Sequence, residues 1–264
     1  MDQSTEMFRM NLATFLSVSL LWLSEKSSQA AAATTVKYTA KLGSSVECLG
    51  EVNNARQAAG LANFIKATND GDKISDPGSA DLTDGDWKEI CEYLVPTQPE
   101  AHSSQAATET FKDGTYAFKA LTAEQPNCTE TIDYWKAAYK NFTGLPPSKK
   151  GAGKLYENQD NVSFVALYNA SSNATADCRV VTCTQKTSAA AVSASVSSGD
   201  SGDTTKLGYA LICKTMPTAF GNGSIAPFTQ EQWDKIKYSL TGSASIAVPS
   251  LVALVIVAFG ITAL

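Results

Sequence analysis

The chain has 264 residues, 26 acidic against 21 basic side chains, and a single histidine, for a net charge of −5. The acidic balance and the lack of a basic stripe argue against a nucleic-acid partner. With no Cys-x2-Cys pair and one histidine, zinc sites have too few ligands at the right spacing.

Both ends read as processing signals. Leu12–Leu23 (LATFLSVSLLWL) is a short apolar run, followed by the small residues SSQAAAA through Ala33. That pattern predicts a secretory signal peptide over residues 1–30, cleaved within Ser28–Ala33. Asp2 and Glu6 oppose Arg9 in its n-region, a departure that translation from Met7 or Met10 removes. The alternative is a retained signal anchor.

Between the ends lies an expected ectodomain, residues 31–241, large enough for one core. Thr34–Cys48 alternates around Val36–Thr39. A first helix is predicted over Asn53–Ile65, with Ala58, Leu61 and Ile65 on one face. Thr68–Asp81 is dense in Gly, Pro and Asp and reads as a loop. A second helix opens at Asp84 or Asp86, carries Trp87, Ile90, Cys91 and Leu94 as one stripe, and stops at Pro96. Thr97–Thr108 is polar. Thr115–Leu121 reads as a short strand. A third helix spans Thr129–Phe142, with Ile132, Trp135, Ala138 and Phe142 inward, and ends at Gly144–Pro147.

The stretch Asn161–Thr184 is predicted to be two strands joined by a polar turn at Asn169–Ala176. In the first, Val162, Phe164, Ala166 and Tyr168 alternate with Val165 and Leu167. Leu207–Cys213 is its partner. Strands apolar on both faces need cover on both, which predicts an α/β fold: a mostly antiparallel sheet between helical layers, a three-layer α/β/α sandwich. Residues 185–206, rich in Ser, Ala and Gly, read as a flexible loop. A last helix opens at Thr229 with Gln232 as a capping box, and Trp233, Ile236 and Leu240 form its stripe.

At the C-terminus, Ile246–Leu264 is nineteen uncharged residues, about 28 Å as a helix. No basic residues follow it, as a spanning helix would carry, and small residues precede it. Residues 242–264 therefore read as a glycolipid (GPI) attachment signal with a removed apolar tail. Gly242, Ser243, Ala244 and Ser245 are the attachment candidates, although the spacer is shorter than usual. A spanning or tail-anchored helix is the alternative.

Six cysteines (Cys48, Cys91, Cys128, Cys178, Cys183 and Cys213) fit three disulfides formed in an oxidising compartment. Cys178 and Cys183 point to opposite faces of one strand. A hairpin of 178–184 with 207–213 sets Cys178 opposite Cys213, the pair expected from geometry. Of six Asn-x-Ser/Thr sequons, Asn169 and Asn173 in a polar turn are the favoured glycan acceptors, with Asn222 and Asn141 as further candidates; Asn127 and Asn161 are poorer. His102, the sole histidine, lies in a polar stretch and lacks a nucleophile elbow to serve. No phosphate-binding glycine motif is present and no carboxylate pair is singled out. Trp87, Trp135 and Trp233 sit at helical spacing and read as core, not a sugar platform. No enzyme, cofactor or metal site is expected.

Five motifs in order carry a resemblance: WKEIC at 87–91, SFVALYN at 163–169, DCRVVTC at 177–183, GYALICKT at 208–215 and PFTQEQWDKI at 227–236. With the six cysteines and the apolar tail, the chain resembles the GPI-anchored SAG surface antigens of the coccidian parasite Eimeria. That family is similar in fold to the CAP superfamily, itself an α/β/α sandwich. Many CAP proteins hold a metal with two histidines and two acidic residues; one histidine here carries none of that over. The resemblance implies a non-catalytic antigen on the parasite surface, held in the outer leaflet by GPI, touching a host-cell receptor or meeting antibody. A CAP-like lipid- or sterol-binding protein and a passive immune decoy are the alternatives.

Overall fold

The computed structural model describes residues 34–97, 111, 113–189 and 203–242. Its chain order is β1 (Thr34–Leu42), α1 (Leu49–Ala58), β2 (Ile65–Lys66), α2 (Asp86–Leu94), β3 (Thr115–Leu121), α3 (Cys128–Ala137), α4 (Gln159–Leu167), β4 (Thr175–Ala189), β5 (Thr204–Met216) and α5 (Gln230–Thr241). One sheet runs β1-β4-β5-β3, with every pairing on that path antiparallel; short β2 pairs with the start of β4 in parallel.

Alternation along β4 and β5 gives the sheet two apolar faces. Ala176, Cys178, Val180, Leu211 and Cys213 face one cluster, built with Val52 of α1, Trp135 of α3, Phe164 of α4 and Trp233 and Ile236 of α5. Val181, Cys183, Ala210 and Ile212 face the other, closed by Trp87, Ile90 and Cys91 of α2. The three tryptophans are core residues, each under 9% exposed. Thr229 caps α5 from its hydroxyl while Gln232 reaches back to the Thr229 N–H, as the capping box predicts.

Three disulfides tie the layers: Cys48–Cys128 joins the start of α1 to α3, Cys91–Cys183 joins α2 to β4, and Cys178–Cys213 crosses the β4–β5 hairpin. Cys178 and Cys213 are register partners. Each bridge contributes about 2–4 kcal/mol by restricting the unfolded chain.

Three sequence expectations are corrected. Residues 162–167, read as a strand, belong to helix α4. Seven of its nine residues are buried. A helix enclosed on all sides shows no 3.6-residue stripe, and its Val/Phe alternation mimics a strand. The local signal for it is Asn158, whose side chain accepts from the Asp160 N–H and caps the first turn.

The first helix covers Leu49–Ala58, not 53–65. Gly60 at φ +69° turns the chain, and Ile65 enters β2. Finally, residues 185–189 and 204–206 are strand, not loop, because β4 and β5 continue in register through Lys186↔Thr205 and Thr187↔Thr204. The β-branched threonines there suit a pleated ribbon, a preference the Ser/Ala/Gly composition of the whole stretch concealed. The remainder of the predicted loop lies outside the described residues.

Buried helix α4 lies along the free edge of β3. Its side chains occupy groups that a further strand would take: Gln159 Nε2 donates to Tyr116 O (2.9 Å), and Ser163 Oγ accepts from Phe118 N (3.0 Å). Trp135 Nε1 of α3 donates to Phe118 O (3.0 Å). The edge is thereby satisfied without a neighbour strand. At the other end of α4, buried Arg56 donates to Leu167 O (3.0 Å), and its guanidinium lies 3.6 Å from the Phe64 ring centre. Burial lowers this group to about 10, so it stays charged and faces the negative end of the α4 dipole.

Candidate functional site

Two clefts open at the N-terminal end of α4. The approach to α4 is built from Pro147 onward. Tyr156 is buried, donates from its hydroxyl to Pro147 O (2.8 Å) and packs edge-on against Phe220 (4.7 Å between centres). The Ser148 hydroxyl accepts from Gly151 N and shapes the turn Lys149–Gly151. Lys150 donates from its main chain to Gly223 O (2.8 Å) and from Nζ to Ser224 Oγ (3.1 Å), which locks this turn to the 220–224 loop.

Between that pair of loops and the β3 edge lies a cleft of about 550 Å³. Tyr116, Val162, Thr218 and Phe220 wall it, and Lys149, Lys150 and Asn222 stand at it. Gln159 separates it from a second cleft of about 500 Å³ beside Lys119, Tyr134, Lys154 and Asp160. Gln159 is 5% exposed, and its amide nitrogen is fixed by two acceptors, Tyr116 O and Ser163 Oγ. Its Oε1 consequently points elsewhere and takes no hydrogen bond from the described residues.

The two clefts differ in charge balance. Lys119 lies 3.7 Å from Glu130 and 4.3 Å from the Tyr134 ring centre. The Tyr134 hydroxyl donates to Asp160, and burial followed by that bond pushes the phenol up to about 12. In contrast, Lys149 and Lys150 at the first cleft are exposed and have no carboxylate within ion-pair distance among the described residues.

A buried ionic cluster on the α2 face is a clamp by its connectivity. Lys214 is 1% exposed, and its ammonium donates to Gly71 O, Lys73 O and Asp113 Oδ2 at 2.8, 3.1 and 2.6 Å. All three donors are used on the protein itself. Neighbouring Asp177 accepts from Ile74 N and from Arg179. The cluster pins the 70–74 segment to the sheet.

The residues singled out by sequence are scattered over the molecule. All six cysteines are paired. Glu47, Cys48 and Cys128 come together in a grouping of metal-ligand type, but both sulfurs belong to one disulfide and offer no thiolate.

Among the sequons, Asn169 is a correction: it is fully buried, and its amide nitrogen donates to Thr215 Oγ1 and Pro217 O. Asn173 and Asn222 are exposed; Asn141 is exposed but donates to Asn161 Oδ1 (2.7 Å). Gly242 follows the last residue of α5. His102, Ser243, Ala244 and Ser245 lie outside the described residues. Among the described residues no helix is long and apolar enough to cross a membrane. The cleft itself escaped sequence reasoning, since Gln159 and Phe220 come from separate segments and the one local cue was the lysine-rich run 149–154.

Comparison with known proteins bears on the whole chain. Residues 44–255 match the sporozoite surface antigen (SAG) protein domain. The chain is 29% identical over 263 residues to the sporulated oocyst TA4 antigen of Eimeria tenella, covering 93% of this chain and 94% of that one. No solved structure matches.

Proposed function

The chain belongs to the sporozoite surface antigen (SAG) family, and on that premise we propose a glycolipid-anchored coat protein that contacts the host cell and catalyses nothing. Family membership implies a cell-surface location. The observation that carries the anchoring is the junction at α5: the helix ends at Thr241, and Gly242-Ser243-Ala244-Ser245 and nineteen uncharged residues follow directly. The helices on both sheet faces support a CAP-like three-layer sandwich, and residues 1–30 fit a leader that exports the chain. Paired cysteines and a self-satisfied ionic clamp support a display scaffold over a reaction centre.

The anchor is tested by expressing the full chain in cultured animal cells and treating them with phosphatidylinositol-specific phospholipase C. Release of the protein from intact cells is expected. Full retention, with surface labelling unchanged, counts against it.

Lipid carriage is a second reading; its candidate is a cleft between α1, α3 and α5 where Ala55, Ala58, Ile132 and Leu240 are joined by the charged Glu51, Asp133 and Lys136. At about 260 Å³ it falls under the ~300–1,000 Å³ usual for small-molecule sites. Mass spectrometry of lipid co-purifying with the protein decides that reading. An immune decoy would show no saturable affinity for host cells.

A further inference from the structure

We propose that the cleft at the N-terminal end of α4 binds an acidic carbohydrate, a sugar bearing sulfate or carboxylate. The inference deepens the host-contact reading and rests on it for biological sense, though not for its test.

Three features converge. Lys149 and Lys150 place two ammonium groups at the cleft with no carboxylate in ion-pair range among the described residues, in a chain whose net charge is −5. The cation excess is thus local, and an anion is its natural complement. Half-buried Val162 and buried Phe220 supply apolar wall, against which the C–H face of a pyranose can rest. Thr218, whose hydroxyl pairs with Thr115 Oγ1 at 3.0 Å, lines the cleft together with buried Gln159, whose amide oxygen takes no hydrogen bond from the described residues. Polar groups of that kind are ordinarily satisfied, and a sugar hydroxyl is a donor of the right type once the cleft yields to admit it. The volume, about 550 Å³, suits a di- or trisaccharide.

Position supports the same conclusion. Gln159 is the first residue of α4. Tyr168, just past its last residue, shares a cleft with Ser239 and Leu240 of the last turn of α5. The cleft and the start of the anchor segment are therefore at opposite ends of α4, which is about 13 Å long. A chain anchored after α5 presents this cleft away from its own membrane.

The test uses full-length protein purified in detergent, so it does not depend on anchoring. The protein is titrated with a heparin-derived hexasaccharide (sulfated), 3′-sialyllactose (carboxylated) and lactose (neutral). Saturable binding of at least one acidic sugar is expected, at least about tenfold tighter than lactose, and weakening as salt is raised. Which acidic sugar binds separates sulfate from carboxylate recognition.

Lys149→Glu/Lys150→Glu, both at exposed positions, should lower that affinity about tenfold or more. The same charge change on α5, Lys235→Glu/Lys237→Glu, should leave it unchanged. Equal affinity for acidic and neutral sugars, no binding of any sugar, or an unaffected Lys149/Lys150 variant overturns the site. Host-cell attachment that survives in that variant would leave the host-contact reading standing without this cleft. Sugar binding without cell attachment would do the reverse.

Discussion

The main-chain N–H of Phe118 on β3 donates to the Ser163 hydroxyl on α4 at 3.0 Å, so a helix closes the edge where a strand would otherwise add. Ser163 is fully buried, and its removal leaves that N–H without a partner. Ser163→Ala should therefore lower unfolding free energy by about 1–3 kcal/mol in urea titrations. A change under about 0.5 kcal/mol, typical of surface substitutions, contradicts the edge role.

Gly208 marks the close approach of α2 to the sheet. A Cβ there would stand 2.6 Å from Val95 Cγ2 and 2.8 Å from Leu94 O, both at the end of α2. Gly208→Ala should destabilise by about 1–3 kcal/mol through overpacking. Gly50, in α1, has nothing within 4 Å of a built Cβ. Gly50→Ala should be neutral or stabilise by up to about 1 kcal/mol. Equal melting shifts for the two would refute the packing argument.

The Lys214–Asp113 pair sets an acid limit. Burial raises the Asp113 carboxyl, but hydrogen bonds from Lys214 and Tyr116 outweigh it and hold the group below its usual range. A lowered folded value means the pair's stabilisation is present above the ordinary carboxylate value near 3.9 and is lost as pH falls through the lower one. The wild type should thus lose its advantage over Asp113→Asn below about pH 4 in urea titrations. A constant difference across the acid range would contradict this. Tyr116 runs oppositely: burial, then Asp113, raises its phenol, so its contribution is lost only in strong alkali.

Sequon use should follow exposure. Glycopeptide mapping of the surface-expressed chain should find Asn173 and Asn222 occupied, and Asn169 and Asn161 bare. Asn169 and Asn161 are 0% and 2% exposed, and a glycan on either cannot be accommodated by the folded core. Occupancy of Asn169 in folded, disulfide-paired protein would contradict the packing around Thr215 and Pro217.

How far the chain can be read from sequence depends on whether local pattern or distant contact decides. Helix α5 was legible because Thr229, Gln232 and a one-sided stripe all lie within three turns. The Cys178–Cys213 pair follows from hairpin register alone. Helix α4 was not legible, since burial on every side erases the periodicity that betrays a helix. The inward turn of Arg56 likewise depends on Leu167, 111 residues away. The cleft joins Lys149, Gln159 and Phe220, which the packing of Tyr156 on Phe220 and the Lys150 hydrogen bonds to Gly223 and Ser224 bring together across distant segments.

The central claim, contact with the host cell, is tested most directly by binding of the full-length protein, held in lipid nanodiscs, to cultured epithelial cells by flow cytometry. A reduced and alkylated sample is the control. The account predicts saturable binding that is lost when the three disulfides are opened. Absence of saturable binding at micromolar protein, or equal binding by the reduced sample, would contradict it.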